Sequence, residues 1–354
     1  MLRQLIRLTE HVPAAGPDAL AVAVYADRED HLISAKESGF EGVACVDDTA
    51  RLLDVMCDVW ARTGEPWARR WATGLLEFVL WMQEPDGRWI NFIFDWDGRR
   101  NTAGITSETG ENFWHARALA GVSHAWLTFG DERAHDAVMR GLDHAVTKSA
   151  PPDVRVLHME VARRLIADAG KRTLLPALRH WAVEIAHARN GDVLMNSPDE
   201  QGSPHLWAHL QEGVLAEAGE LLGDPSLVAI AAKSADALWA PIIAGGFDRP
   251  SVTPYDVASG IYSLDRLARV TGDAHWEVLA GDARAWFDGR NPAGVPVYDR
   301  ERGRVADGLD EGRVSGNSGA EANIVGAEAL FDDVVATAAS LRAELIAEFP
   351  ETTD

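Results

Sequence analysis

A chain of 354 residues, 47% hydrophobic and 25% charged, has the composition of a packed globular protein and the length of one large domain or two ordinary ones. Its formal net charge is −22 and its basic residues are scattered, which argues against nucleic acid as a partner. Residues 1–10 carry no apolar run resembling a signal sequence and no apolar segment reaches bilayer length, so a cytoplasmic location is expected; Cys45 and Cys57 lie in no Cys/His cluster, which leaves disulfides and structural zinc without support.

Residues 1–44 fit no helical hairpin and read as an N-terminal arm, with a single domain expected over 45–354. From there, helix-length segments with apolar residues at three-and-four spacing alternate with a recurring punctuation: Gly64-Glu65-Pro66, Gly130-Asp131, Gly170-Lys171, Gly223-Asp224-Pro225 and Gly272-Asp273. Glycine accepts the left-handed conformation that ends one helix, aspartate caps the next, and proline suits its first turn. The spacing predicts helix pairs over 47–63 and 67–84, 112–129 and 132–148, 154–169 and 172–189, 204–222 and 225–243, 254–271 and 274–288, and 318–330 and 332–348. First members are apolar or small on more than one face and should lie inside, while second members carry a charged face. Six such hairpins are the number that closes, so the expected fold is all-α, an (α/α)6 toroid. Two longer connections, 85–111 and 291–317, fall on the same side of the repeat, where function is usually carried.

Polar residues gather at the starts of the inner helices. They are Asp47, Asp48 and Arg51; Glu108, Glu111, Asn112 and His115; Arg155 and His158; His205, Trp207, His209 and Glu212; Tyr255 and Asp256; and Glu321 and Asn323. Singly, each has a structural alternative, since Asp47 or Asp48 can be an N-cap, Glu108 and Glu111 can favour a helix N-terminus, and most tryptophans belong to the core. Together they offer paired carboxylates, as glycosidic bond cleavage requires, with indole faces and polar donors suited to a saccharide. Catalytic carboxylates are expected among Asp47, Asp48, Glu108, Glu111 and Glu321, with Asp48 as base and Glu108 as acid. Arg51, Trp89, Asn112, His115, His158, His205, Trp207, His209, Tyr255, Asp256 and Asn323 are the expected substrate contacts. No phosphate loop, H-E-x-x-H or G-x-S-x-G occurs, and no cofactor or metal is demanded.

The stretches Cys45-Val46-Asp47-Asp48-Thr49-Ala50-Arg51, Gln83 to Phe92, Ser107-Glu108 and Arg117-Ala118-Leu119 carry a resemblance to a known family, and so do Trp286-Phe287, Pro296 to Asp299, Asp307-Gly308-Leu309 and Ser318 to Asn323. Over residues 45–330 the chain resembles a bacterial (α/α)6 toroid family found in, or attached to, proteins described as glycosyltransferases. The resemblance implies a glycan-active or glycan-binding domain, with a small-molecule or oligosaccharide partner. The chain departs from that family at Thr49, where an amide is expected, and over 109–115. Val46 to Ala50 with Gln83, Gly87 and Trp89 also resembles class II terpenoid cyclases, which implies Asp47 as a general acid and a prenyl diphosphate as the partner. Cys45 replaces the first aspartate of that motif. A third reading is a glycan-binding toroid without catalysis.

Overall fold

The computed structural model describes residues 1–34, 41–110, 112–197, 200 and 202–350. Among them lie fourteen α-helices: α1 (Leu2–Leu8), α2 (Val46–Thr63), α3 (Pro66–Trp81), α4 (Phe113–Phe129), α5 (Glu132–Thr147), α6 (Pro152–Ala169), α7 (Leu175–His187), α8 (Gln211–Leu222), α9 (Pro225–Ala244), α10 (Pro254–Thr271), α11 (Ala274–Arg284), α12 (Ala320–Ala329), α13 (Phe331–Ser340) and α14 (Arg342–Glu348). They fall into two compact units, Met1–Lys148 with Asp299–Ala306 and Gly316–Asp354, and Ser149–Tyr298 with Asp307–Ser315.

The hairpin turns follow local chemistry. Gly64, Gly130, Gly170, Gly223 and Gly272 all end inner helices with φ between 65° and 70°. Asp131, Asp224 and Asp273 then accept hydrogen bonds from backbone N–H groups opening α5, α9 and α11. In α8 every residue from Gln211 to Gly219 is buried, whereas α9 buries only a stripe, so in this hairpin the first member is enclosed and the second keeps an exposed face.

In the first unit α2 packs against α3, α4 and α12, α4 against α5, and α1 against α12. The arm is anchored by Met1, Leu2, Leu5 and Leu8, all buried, and by the antiparallel pair Thr9–His11 with Leu20–Val22. In the second unit α8 packs against α9, α10 and α6, and Trp239, Phe287 and Trp286 are buried.

Four expectations are corrected. Helix 204–222 begins only at Gln211, because Ala208 takes φ 55° and holds residues 204–210 in a loop. Helix 172–189 opens with a 3₁₀ turn, Arg172–Leu174. The last helix is divided at Leu341 into α13 and α14. Finally, α9 does reach the length and apolarity of a bilayer span, with mean hydropathy 1.5, by composition alone: Ala, Leu and Ile dominate it. Its Leu227, Ala231, Ala235, Leu238 and Trp239 are nevertheless buried within its unit.

Candidate functional site

In the first unit the chain enters α2 from a short strand, Ala44–Cys45, paired antiparallel with Phe92–Ile93. Asn91 fastens this junction: its backbone carbonyl accepts from Val46 N at 2.8 Å, its Oδ1 accepts from Asp47 N at 3.1 Å, and its Nδ2 donates to Thr106 O. Ser107 holds the other side, accepting from Phe92 N and donating to Asn101 O, each at 2.7 Å. The long connection before α4 is thereby pinned to the start of α2. Cys45 is the N-cap, with its sulfur accepting from Asp48 N and its thiol donating to Asp48 Oδ2, each at 3.4 Å.

Arg51, one turn on, is the centre of the charged cluster. Its Nη2 lies 2.6 Å from Asp48 Oδ1, 3.2 Å from Asp47 Oδ1 and 3.1 Å from Glu321 Oε2. Arg117 of α4 donates to Asp47 and stacks over Phe113, 5.0 Å from its ring centre. Arg117 reaches α2 because Gly121 lets the helices close: a Cβ there would stand 2.4 Å from Ala50 O. Burial raises the Asp47 pKa, but the charges of Arg117 and then Arg51 outweigh it and hold the carboxyl below its usual range. For Asp48 burial prevails over Arg51, aided by the negative charges of Asp47 and Glu321, and the pKa rises to about 6. Asp48 is buried, while the Glu321 side chain is 49% exposed and carries the cluster to solvent.

A second polar cluster lies wholly in the second unit. His209 Nδ1 is 2.7 Å from Asn196 Oδ1 and its Nε2 is 3.0 Å from Glu212 Oε1. Glu212 also accepts from Ser234 Oγ at 2.6 Å and Trp239 Nε1 at 3.2 Å. Burial raises the Glu212 pKa, but the charge and hydrogen bond of His209 outweigh it and keep it low. His205 stacks on Trp207 with ring centres 4.0 Å apart, and Tyr255 lies 6.5 Å from Trp207. Buried Arg155 meets His158 at 3.3 Å and sits over Trp181, beside a cavity of about 310 Å³ lined also by Glu184 and His187.

The structure therefore brings Asp47, Asp48, Arg51 and Glu321 together and gives several other candidates structural contacts. Trp89 is buried and donates to Val79 O; His115 is buried with Nε2 3.1 Å from Gly141 O. Asn112 caps α4, Asp256 completes a capping box with Thr253 on α10, and Asn323 ties Val305, Ser318 and Gly319 together. Glu108 is exposed, held through its backbone N–H to Gly104 O, and Glu111 lies outside the described residues. Thr49 is buried with its hydroxyl accepting from Val22 N. Sequence reasoning passed over Arg117, Cys45, Asn91 and Asn196 as site residues. The position of Arg117 one turn after the cap of an inner helix was the available signal. Two other groups could hold a cation among the described residues: Asp27, Glu29 and His31, and Asp54, Asp58 and His124.

No protein-family model and no curated protein sequence matches the chain. Solved structures do. A sugar epimerase from a ruminal bacterium superposes with a TM-score of 0.69 at 12% identity, over 95% of this chain and 99% of that one. Cellobiose 2-epimerase from Spirochaeta thermophila gives 0.70 at 13%, over 94% of each. A family 76 glycoside hydrolase from a bovine Bacteroides thetaiotaomicron strain gives 0.64 at 10%, over 94% and 76%. The fold is that of the (α/α)6 toroids.

Proposed function

We propose that the protein is a carbohydrate-processing enzyme in which Asp48 moves a proton at the carbonyl end of a sugar, as an epimerase or isomerase. The observation that carries this reading is a buried carboxyl with a pKa of about 6, bonded to a guanidinium that it shares with two further carboxylates. Such a group takes and returns protons near neutral pH. Asp48 would remove the proton from the carbon next to the open-chain carbonyl. Arg51 would stand against the negative charge that develops on oxygen, and the proton would return to the same or the neighbouring carbon. The near-complete mutual coverage with a sugar epimerase and with cellobiose 2-epimerase supports this choice over hydrolysis.

Glycosidic cleavage remains a second reading, with Glu321 in place of Glu108 as partner. Asp48 Oδ1 and Glu321 Oε2 share one nitrogen at 2.6 and 3.1 Å. They are therefore separated by at most about 5.7 Å, which falls short of the ~6.5–9.5 Å of inverting enzymes and admits the ~5–5.5 Å of retaining ones. A terpenoid cyclase would need Asp47 as a proton donor, and the two guanidiniums keep that carboxyl ionised.

Incubation with aldoses and reducing disaccharides in D₂O, followed by NMR, tests the proposal through deuterium uptake at C2. Asp48→Asn should slow that uptake by at least about a hundredfold. Uptake that survives this substitution sinks the role of Asp48. New reducing ends from glycosides without C2 exchange would transfer the assignment to cleavage. Saturable binding without either reaction would leave the binding toroid.

A further inference from the structure

Of the thirteen tryptophans, Trp207 alone is exposed, at 41%, while Trp67, Trp71, Trp89, Trp239 and Trp286 are fully buried. Placing a large indole in water forgoes the burial that stabilises the others. The structure moreover packs this ring against bonded partners. The His205 ring lies parallel to it, 4.0 Å away and tilted by 14°. His205 Nδ1 is 2.9 Å from Trp207 O, and its Nε2 is 3.3 Å from Asp153 Oδ2 in the first turn of α6. The backbone is fixed as well, since Asn196 Nδ2 donates to His205 O at 2.8 Å and His209 N donates to Leu206 O. Between these anchors Ala208 is held at φ 55°, a conformation costly for a residue with a Cβ. Tyr255, from the first turn of α10, closes one side of the platform.

We propose that Trp207, backed by His205, which Asp153 holds in turn, and flanked by Tyr255, is the platform of a saccharide subsite that takes the apolar face of a pyranose ring. This deepens the carbohydrate reading given above and rests on it. A pyranose presents several axial C–H groups on one face, slightly positive, and these suit the negative face of an indole. Its hydroxyls project at the ring edge, away from the indole face, where they keep their hydrogen bonds to water. Because the platform is already ordered, a sugar binds without paying to arrange it.

Saturation-transfer NMR tests the subsite, using neutral gluco-, manno-, xylo- and N-acetylglucosamine oligosaccharides as probes. At least one probe should receive saturation on its ring C–H protons from the wild-type protein. Trp207→Ala should weaken that binding about tenfold, the scale of a lost aromatic contact, and Trp207→Phe should fall between. Both variants should melt within about 2 °C of wild type, as expected for an exposed position. Asp48→Asn should bind the same probe, which separates the platform from the proton-transfer group. Binding undiminished in Trp207→Ala overturns the subsite and leaves the sugar reading standing. No transfer to any probe in the wild type overturns both.

Discussion

Asp47, half-buried, and Asp48, buried, are adjacent and bonded to the same arginine nitrogen, yet they are pushed in opposite directions. The difference is Arg117, which gives Asp47 a second guanidinium, while Asp48 receives only the weak thiol of Cys45. A residue on α4 thus decides which of two aspartates on α2 can exchange protons at neutral pH. The same asymmetry is a stability statement. Asp48 in the unfolded chain titrates near 3.8 and in the folded chain near 6, so between these values the folded state binds more protons. Its contribution is fully present below pH 3.8 and is lost as pH rises through 6. The gap between the two values corresponds to roughly 3 kcal/mol. Asp48→Asn carries no such penalty, so its stability relative to wild type should improve between pH 4 and pH 7 by up to that amount. Urea unfolding at the two pH values measures this. A relative stability that is flat or falls over that interval would show that Asp48 ionises normally.

At the scale of elements, the crossing of α2 and α4 is set by Gly121. A Cβ would meet the Ala50 carbonyl at 2.4 Å, and that atom is backbone that no rotamer change can move. Gly121→Ala should therefore push the helices apart and cost about 1–3 kcal/mol, the usual penalty of overpacking. It should also weaken the Arg117–Asp47 pair one turn away. A thermal melt together with the pH dependence of turnover checks both effects, and unchanged stability would mean that the crossing is slack. Most of the hairpins were legible in the sequence because their turns are encoded locally, four as Gly-Asp or Gly-x-Pro and one as Gly170-Lys171, each glycine ending one helix just before the next begins. The cluster was legible only in part. Asp47, Asp48 and Arg51 sit three and four residues apart on one helix, whereas Arg117 and Glu321 join them only through tertiary contacts. The loop before α8 reads as helix because Leu206, Leu210 and Val214 keep an apolar spacing of four. Nothing local marks Ala208 as left-handed. Trp89 and His115, expected as substrate contacts, are buried against α5: Gln83 Nε2 donates to Gly87 O and Ala137 O, and His115 Nε2 lies 3.1 Å from Gly141 O.

Over the whole molecule, a formal charge of −22 bears on the choice of substrate. A field of that sign slows the approach of anions and is indifferent to neutral sugars. Arg51 and Arg117, the cations of the cluster, are already bonded to carboxylates, so a diphosphate would have to displace them. Both considerations oppose a prenyl diphosphate. A ligand that binds only the folded state raises the melting temperature, by an amount equivalent to about 2.7 kcal/mol at a hundredfold excess over Kd. A thermal-shift comparison of neutral oligosaccharides with prenyl diphosphates at low salt should therefore move the melting temperature with a sugar and not with a diphosphate. Repeating it near 0.15 M salt, where the Debye length is about 8 Å, should leave a sugar's shift unchanged because no long-range charge is involved. A shift with the diphosphate that shrinks as salt is added would show that an anion site exists among these acids. The proton-transfer assignment would then pass from Asp48 to a different chemistry.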